Sequence, residues 1–132
     1  MKTLILSLAL AVLFTVSSAV AQEQQTPTSP KKPLVTFLEL GSVNCIPCKA
    51  MQPVMKAVEA AYGSQIKVIF YDVWKKEQAH YAQQYKIRLI PTQIFLDANG
   101  KELMRHEGFF PEKEIHVFLQ SKGLRPQSGE KG

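Results

Sequence analysis

The chain contains two cysteines, Cys45 and Cys48, in the segment Cys-Ile-Pro-Cys, and no others. Two thiols at this spacing can close a small disulfide ring. Apolar residues recur at helical spacing from Cys48 onward, so the pair is expected at the start of a helix. A helix N-terminus offers unpaired N–H groups and a positive dipole end, which favour a thiolate over a thiol. The segment therefore predicts redox chemistry, with Cys45 as the exposed attacking thiolate and Cys48 as the shielded resolving thiol.

Two other uses of such a pair stay open from the residues alone. A zinc site needs four ligands, but there is no second Cys-x-x-Cys, and the three histidines lie far apart in the sequence, at His80, His106 and His116. We therefore expect no metal ligands. A purely structural disulfide is the second alternative. It is disfavoured because so small a ring removes little entropy from the unfolded chain.

The hydrophobic pattern indicates the elements that must position the cysteines. Residues 34–40 form a nearly continuous apolar run, which is typical of a central strand buried on both faces. The Asn-Gly at residues 99–100 lies between strand patterns and predicts a hairpin. The predicted elements are a strand at 34–40, a helix that ends before Gly63, a strand at 66–73, a helix at 75–86, strands at 93–97 and 101–108, and a helix that begins at Pro111. This β-α-β-α-β-β-α order predicts an α/β fold, a mixed four-stranded sheet flanked by helices.

The 132 residues suit a single domain with polar and apolar segments outside it. Residues 1–21 combine Lys2, an apolar run and the small-x-small pattern Ala-Val-Ala of a signal-peptidase site. We expect a cleaved signal peptide and a periplasmic or secreted protein, with an uncleaved N-terminal anchor as the alternative. Residues 22–33 predict a flexible tether, 34–124 the folded domain and 125–132 a disordered tail.

The chain has 16 Lys and Arg against 11 Asp and Glu, a net charge of +5. The basic residues are scattered, without the arginine cluster or the aromatic-basic stripe that nucleic-acid binding favours. The sequence contains no flavin or nicotinamide motif. We therefore expect no cofactor, no nucleic-acid partner and a monomer. Trp74 is interpreted as a packing residue or loop anchor, and His106 as an exposed residue of the hairpin.

Two segments resemble the signature segments of the thioredoxin superfamily. The first is CIPCKAMQP at residues 45–53, and the second is IRLIPT at residues 87–92. They occur in the order of that family, with a glycine at Gly108 after the hairpin, and the resemblance covers nearly all of residues 34–123. It implies a thioredoxin-like fold and a thiol–disulfide oxidoreductase that acts on disulfide-containing proteins.

The resemblance also implies roles for the residues around the cysteines. The Ile90–Pro91 peptide bond is expected to be cis, and the backbone of Ile90 is expected to pair with a strand of the substrate. Thr92 would help to position that strand. Ile46 and Pro47, between the cysteines, are expected to contact it.

Glu39 is the one charged residue in the first predicted strand, six residues before Cys45. In thioredoxins, a buried acid at this offset helps to move the proton of the resolving cysteine. Because an apolar site raises the pKa of a carboxyl group, such a group can act as a base near neutral pH. The alternative is that Glu39 reaches solvent at the end of the strand.

The resemblance also gives a direction of electron flow. Pro47 before the second cysteine and Ile90 before Pro91 match the reducing branch of the superfamily, whereas Asn44 departs from its usual Trp. We expect a protein-disulfide reductase that a membrane thiol electron transporter reduces again. The alternatives are a disulfide-forming oxidase and a copper- or zinc-binding thioredoxin-like protein.

Overall fold

The computed structural model describes residues 32–127 of the chain. Within this range, the chain forms four strands and three helices. They are β1 (Val35–Gly41), α1 (Ile46–Tyr62), β2 (Ile66–Asp72), α2 (His80–Gln84), β3 (Thr92–Asp97), β4 (Glu102–Glu107) and α3 (Glu112–Ser121). The predicted order of elements is confirmed. The predicted signal peptide and most of the predicted tether lie outside the described residues.

The four strands form one mixed sheet in the order β2-β1-β3-β4. β1 pairs in parallel with β2, while β1 and β3, and β3 and β4, pair antiparallel. The predicted four-stranded mixed sheet is therefore confirmed. β1 lies in its interior because its apolar side chains are buried on both faces, as the run at 34–40 indicates.

Helices cover both faces of the sheet. Alternate residues of β1, such as Val35 and Phe37, point to the face packed by α1 and α3, where the rings of Phe37 and Phe95 stack at 4.6 Å. The other alternate residues, Leu38 and Leu40, join the smaller cluster beneath α2. The period of two in β1 thus decides which side chains can lie near α1 and its cysteines.

The second helix is shorter than the sequence predicts. A helix is expected over residues 75–86, but α2 comprises only His80–Gln84. The segment before it forms turns instead, in which Lys75 N donates to Asp72 O at 3.0 Å and Gln78 N donates to Lys75 O at 2.9 Å. The Gln78 side chain also accepts a hydrogen bond from Asp72 N at 2.7 Å. These local bonds replace helical ones because the segment has only a weak apolar face to bury.

The residues that follow α3 are hydrogen-bonded to the end of α1 and to the turn before β2. Gln65 Nε2 donates to Arg125 O at 2.7 Å, and Arg125 N donates back to Gln65 Oε1 at 2.9 Å. Gln127 N donates to Ala61 O at 2.7 Å. These bonds carry the fold past the predicted boundary at residue 124, and the rest of the predicted tail lies outside the described residues. Within residues 32–127, no helix combines the length and the apolar character needed to cross a membrane.

Candidate active site

Cys45 and Cys48 form a disulfide at the start of α1, with their Cα atoms 5.2 Å apart. Cys45 is the N-cap residue of the helix, and its Sγ accepts a hydrogen bond from Cys48 N at 3.4 Å. Cys45 is 8% exposed, whereas Cys48 is fully buried. The sulfur of Cys45 is therefore the more accessible of the two, and the helix N-terminus presents an N–H to it.

Gly41, the last residue of β1, lies against the disulfide. A Cβ atom at this position would be 3.1 Å from Cys48 Sγ and 3.3 Å from Phe70 Cε2, closer than ordinary van der Waals contact. The absence of a side chain at Gly41 thus lets α1 bring Cys48 directly onto the end of the strand. This contact fixes the position of the disulfide relative to the sheet.

Glu39 lies two residues before Gly41, so its side chain points to the face of the sheet that Cys48 covers. The side chain is fully buried, and neither carboxyl oxygen has a hydrogen-bond partner within the described residues. This burial raises the pKa of Glu39 to about 8. The structure therefore excludes the alternative in which Glu39 reaches solvent, and it gives a carboxyl group that can exchange a proton near neutral pH.

The segment before β3 lies at the same edge of the sheet as the disulfide. Thr92 pairs with Leu40, the neighbour of Gly41, and the Ile90–Pro91 peptide bond is cis. The carbonyl of Pro91 accepts a hydrogen bond from Gly108 N at 2.8 Å. The Thr92 side chain is buried, and its hydroxyl donates to Leu89 O at 2.7 Å. Its side chain thus holds this turn and does not face solvent.

Ile46 and Pro47, which lie between the two cysteines, are more exposed than Ile90. Ile46 is 82% exposed and Pro47 is exposed, while Ile90 is half-buried against the cluster beneath α2. A cleft of about 280 Å³ lies beside Ile90, and its lining also includes Leu89 and Trp74. The edge of the sheet that holds the disulfide therefore presents apolar side chains to solvent.

Asp72 is a site residue that sequence reasoning missed. Its carboxylate is buried and accepts hydrogen bonds from Val43 N at 3.4 Å and Trp74 N at 3.2 Å. It thereby links the loop before Cys45 to the loop after β2. Its place at the carboxyl end of a strand could have indicated this role, since Asp side chains commonly bind nearby backbone N–H groups.

Of the two interpretations of Trp74, as a packing residue or as a loop anchor, the structure contradicts the first, because the residue is 62% exposed. Its backbone N–H donates to Asp72, which agrees with a loop anchor. His106 is also placed differently from the expectation. It is half-buried, its ring stacks on Phe110 at 4.1 Å, and its Nε2 lies 3.1 Å from Phe109 O.

Gln93 was also missed. It is fully buried in β3, directly opposite Glu39 on β1, and its Nε2 donates to Gly108 O at 3.1 Å. A lone amide in a strand of buried apolar residues was the available signal, because such a group needs a partner. Among residues 32–127, no group of three or more His, Cys, Asp and Glu side chains is arranged to hold a metal ion.

A mixed four-stranded sheet that presents a Cys-x-x-Cys disulfide at the N-terminus of a helix, above a buried carboxyl group, is the arrangement of a thiol–disulfide oxidoreductase. The comparison with known families agrees. Residues 20–122 match the thioredoxin-like domain, and the chain belongs to that family.

Known thioredoxins from distant organisms are similar to parts of this chain. Thioredoxin C-2 of Corynebacterium nephridii is 29% identical over 75 residues, which are 57% of this chain and 67% of that protein. A thioredoxin-like protein of Synechocystis is 29% identical over 100 residues, or 76% and 86% of the two chains. Thioredoxin-1 of Drosophila melanogaster is 38% identical over 57 residues, so the match spans 43% of this chain and only about half, 51%, of that relative.

Solved thioredoxin structures share the fold. Thioredoxin-2 of the malaria parasite has a TM-score of 0.61 at 23% identity, covering 67% of this chain and 82% of its own. The germline-specific thioredoxin Deadhead of Drosophila melanogaster has a TM-score of 0.59 at 27% identity, covering 70% and 83%. The thioredoxin-like fold predicted from the sequence is thus confirmed.

Proposed function

We propose that this protein is an exported protein-disulfide reductase. The observation that carries the proposal is the Cys45–Cys48 disulfide at the N-terminus of α1, with Cys45 the accessible sulfur and Cys48 the buried one. Membership of the thioredoxin-like family supports disulfide exchange as the chemistry of this protein. Export and the reducing direction are further steps of the proposal, and each needs its own test.

The proposed reaction is two successive thiol–disulfide exchanges. The thiolate of Cys45 attacks one sulfur of a substrate disulfide, a mixed disulfide forms, and the other substrate sulfur leaves as a thiolate. Cys48 then loses its proton to Glu39 and attacks Cys45, which breaks the mixed disulfide and releases the second substrate thiolate. The substrate gains two electrons, and Cys45–Cys48 becomes a disulfide. A second dithiol must return those electrons before another cycle.

The start of α1 favours the reducing direction. Hydrogen bonds to the Cys45 thiolate would stabilise the dithiol and weaken it as a reductant. Pro47 has no N–H, so the first turn offers one donor fewer, and the donor to Cys45 Sγ is Cys48 N at 3.4 Å. With few donors on Cys45, the dithiol is expected to give up its electrons readily.

The exposed and half-buried apolar groups at the edge of the sheet fit an extended polypeptide as substrate. Ile46, Pro47 and Ile90 would contact the segment that contains the target disulfide, and the backbone of Ile90 would pair with it. Pro91 and Thr92 hold that backbone in place through the bonds to Gly108 and Leu89. A folded disulfide-containing protein would need such a segment at its surface.

The proposed location follows from residues 1–21, which have the pattern of a cleaved secretory signal. Outside the cytoplasm, the protein has no access to soluble cytoplasmic reductants. We propose a membrane thiol electron transporter as the donor that reduces the Cys45–Cys48 disulfide. The mass of the N-terminus of protein recovered from the periplasm or medium tests the cleavage, because an uncleaved anchor would leave residues 1–21 in place.

The function is tested with Cys45→Ser, Cys48→Ser and the wild type in reduction of a protein disulfide. We expect Cys45→Ser to abolish activity, and Cys48→Ser to accumulate a mixed disulfide through Cys45, because the resolving thiol is missing. Persistence of activity in Cys45→Ser would rule out the mechanism.

The direction is tested by the reduction potential of Cys45–Cys48 in glutathione and dithiothreitol buffers. We expect a value closer to the thioredoxin value of about −270 mV than to the value of about −120 mV for a strong oxidant. A potential near the oxidising value would establish the disulfide-forming oxidase instead. Stoichiometric binding of zinc or copper(I) by the reduced protein, without disulfide reduction, would establish the metal-binding alternative.

A further inference from the structure

Three buried side-chain oxygens in the described part of the chain have no hydrogen-bond partner, and they occur on two residues that face each other. They are both carboxyl oxygens of Glu39 and Oε1 of Gln93. The two residues pair directly across β1 and β3, and both are fully buried. Side chains of such a pair share one face of the sheet, with Cβ atoms about 4.5–5.5 Å apart. Buried polar atoms without a partner are costly. Because the oxygens of Glu39 and Gln93 lie on facing residues, we infer that a hydrogen bond forms between them in one protonation state of Glu39.

The orientation of the Gln93 amide decides which state that is. Gln93 Nε2 donates to Gly108 O at 3.1 Å, and Gly108 N in turn donates to Pro91 O at 2.8 Å. The amide is thereby anchored to the backbone that carries Pro91, and its carbonyl oxygen is left for Glu39. A carbonyl oxygen and a carboxylate both only accept hydrogen bonds, whereas a protonated carboxyl group donates one. Only neutral Glu39 can therefore bond to Gln93 Oε1.

We propose that Gln93 is a positioning residue of the redox site, whose carbonyl oxygen accepts a hydrogen bond from Glu39 and holds that residue as a neutral acid. The proposal rests on the role given to Glu39 in the proposed function. When a dithiol donor reduces the Cys45–Cys48 disulfide, Cys48 leaves as a thiolate and takes the proton of Glu39, which becomes a carboxylate. When Cys48 later resolves a mixed disulfide, the proton returns to Glu39 and the bond to Gln93 forms again.

The other groups around Glu39 do not supply a charge that would hold its proton instead. The side chains that β2, α1 and α3 bury on this face are mostly apolar, among them Phe70, Met51, Ile115 and Leu119. The titratable groups are Cys48 on α1, Asp72 at the end of β2 and His106 on β4. The Asp72 carboxylate accepts hydrogen bonds from Val43 N and Trp74 N. His106 pairs with Gln93 and so lies one strand beyond it, where its ring nitrogen meets Phe109 O. Burial raises the pKa of Glu39 to about 8, in the same direction as the proposed bond, whereas an N–H of Gln93 directed at the carboxylate would lower it. The geometry favours the carbonyl, because Gln93 Nε2 donates to Gly108 O and neither Glu39 oxygen accepts a hydrogen bond within the described residues.

The test is a carbon-13 NMR titration of the Glu39 carboxyl group in the full chain, oxidised, as wild type and as Gln93→Met. Methionine keeps the length of the side chain but cannot serve as this acceptor. We expect the pKa of Glu39 to fall by about one unit, a tenfold change in its ionisation constant, because the neutral acid loses its partner. A pKa that rises would mean that the Gln93 N–H group faces the carboxylate, and a pKa that stays unchanged would mean no bond. Either result overturns the proposal.

Gln65→Met is the matched control. Gln65 is also a partly buried amide, bonded to Tyr62 O and Arg125 O, but it lies before β2, at the end of the sheet away from the disulfide. The same substitution there should leave the pKa of Glu39 unchanged. A fall as large as that in Gln93→Met would assign the effect to general loosening of the fold and overturn the proposal.

A measurement on the wild type keeps the proposal testable if Gln93→Met does not fold. The side-chain carbonyl resonance of Gln93 should titrate with the same midpoint as Glu39, and a Gln93 resonance that does not follow Glu39 overturns the proposal. These titrations do not depend on catalysis, so loss of the proposed reductase function would leave their outcome readable. For the reaction itself, the pH profile of disulfide reduction should shift in Gln93→Met but not when Gln93→Met is added to Glu39→Gln.

Discussion

A buried carboxyl group beside a disulfide makes the stability of this protein depend on pH. Glu39 is fully buried, and its pKa is raised from an ordinary value of 4.5 to about 8 by the loss of solvation. The folded protein therefore holds the Glu39 proton more tightly than the unfolded chain does. The stabilisation from Glu39 is fully present below pH 4.5, and it is lost as the pH rises from about 4.5 to about 8.

Glu39→Gln removes this titration and keeps a side chain of similar shape. We expect the wild type to lose unfolding free energy relative to Glu39→Gln between pH 5 and pH 8, by roughly 3–5 kcal/mol. Urea denaturation of the two oxidised proteins at both pH values measures the difference. Glu59→Gln on the exposed surface of α1 serves as the control and should track the wild type. A constant difference between wild type and Glu39→Gln would contradict a raised pKa at Glu39.

At the scale of the secondary-structure elements, the site depends on hydrogen bonds between the last residue of β2 and two loops. Asp72 ends β2 beside Gly41 and accepts N–H groups from Val43, in the loop that leads to Cys45, and from Trp74. Since the carboxylate is buried, its loss would leave two backbone N–H groups without a partner. The loop before the disulfide is thereby coupled to the loop after β2.

Asp72→Ala should loosen both loops at once. We expect faster hydrogen exchange at Val43 and Trp74, and an unfolding free energy lower by about 1–3 kcal/mol, since two buried N–H groups lose their acceptor. Asp97→Ala is the matched control, because Asp97 also accepts two backbone N–H groups, from Asn99 and Lys101, but in the distant hairpin. It should leave exchange at Val43 unchanged. Equal effects of both substitutions at Val43 would contradict the specific link.

The sequence carried enough information for the strands, the hairpin and the Cys-x-x-Cys pair, because each depends on neighbours in the chain. The apolar run before Gly41, the Asn-Gly turn and the helical spacing after Cys48 are local signals. The short α2, the exposed indole of Trp74 and the role of Asp72 depend on bonds between side chains and backbone that no periodicity encodes. The register between distant strands could not be predicted either. It places Gln93 of β3 opposite Glu39 of β1, although the two residues are 54 positions apart in the sequence.

At the scale of the whole molecule, the redox state of one small ring is linked to the stability of the entire fold. Folding holds the cysteines at the end of α1 with Cys48 packed on Gly41 and their Cα atoms 5.2 Å apart. Any preference of this geometry for the disulfide over the dithiol lowers the reduction potential, and it stabilises the oxidised protein by the same free energy. For this two-electron couple, a change of about 30 mV corresponds to about 1.4 kcal/mol.

A reductase and an oxidase therefore differ in which form unfolds first. In a strong oxidant the reduced form is the stabilised one, whereas the proposed reductase requires the oxidised form to be at least as stable as the reduced form. Guanidinium denaturation of the wild type, with the disulfide intact and after reduction, measures both unfolding free energies. We expect the oxidised protein to unfold at the higher denaturant concentration, by an amount that agrees with its measured potential. Cys45→Ser, which has no disulfide to lose, should unfold at the same concentration under both conditions. Greater stability of the reduced wild type would assign the protein to the oxidising class.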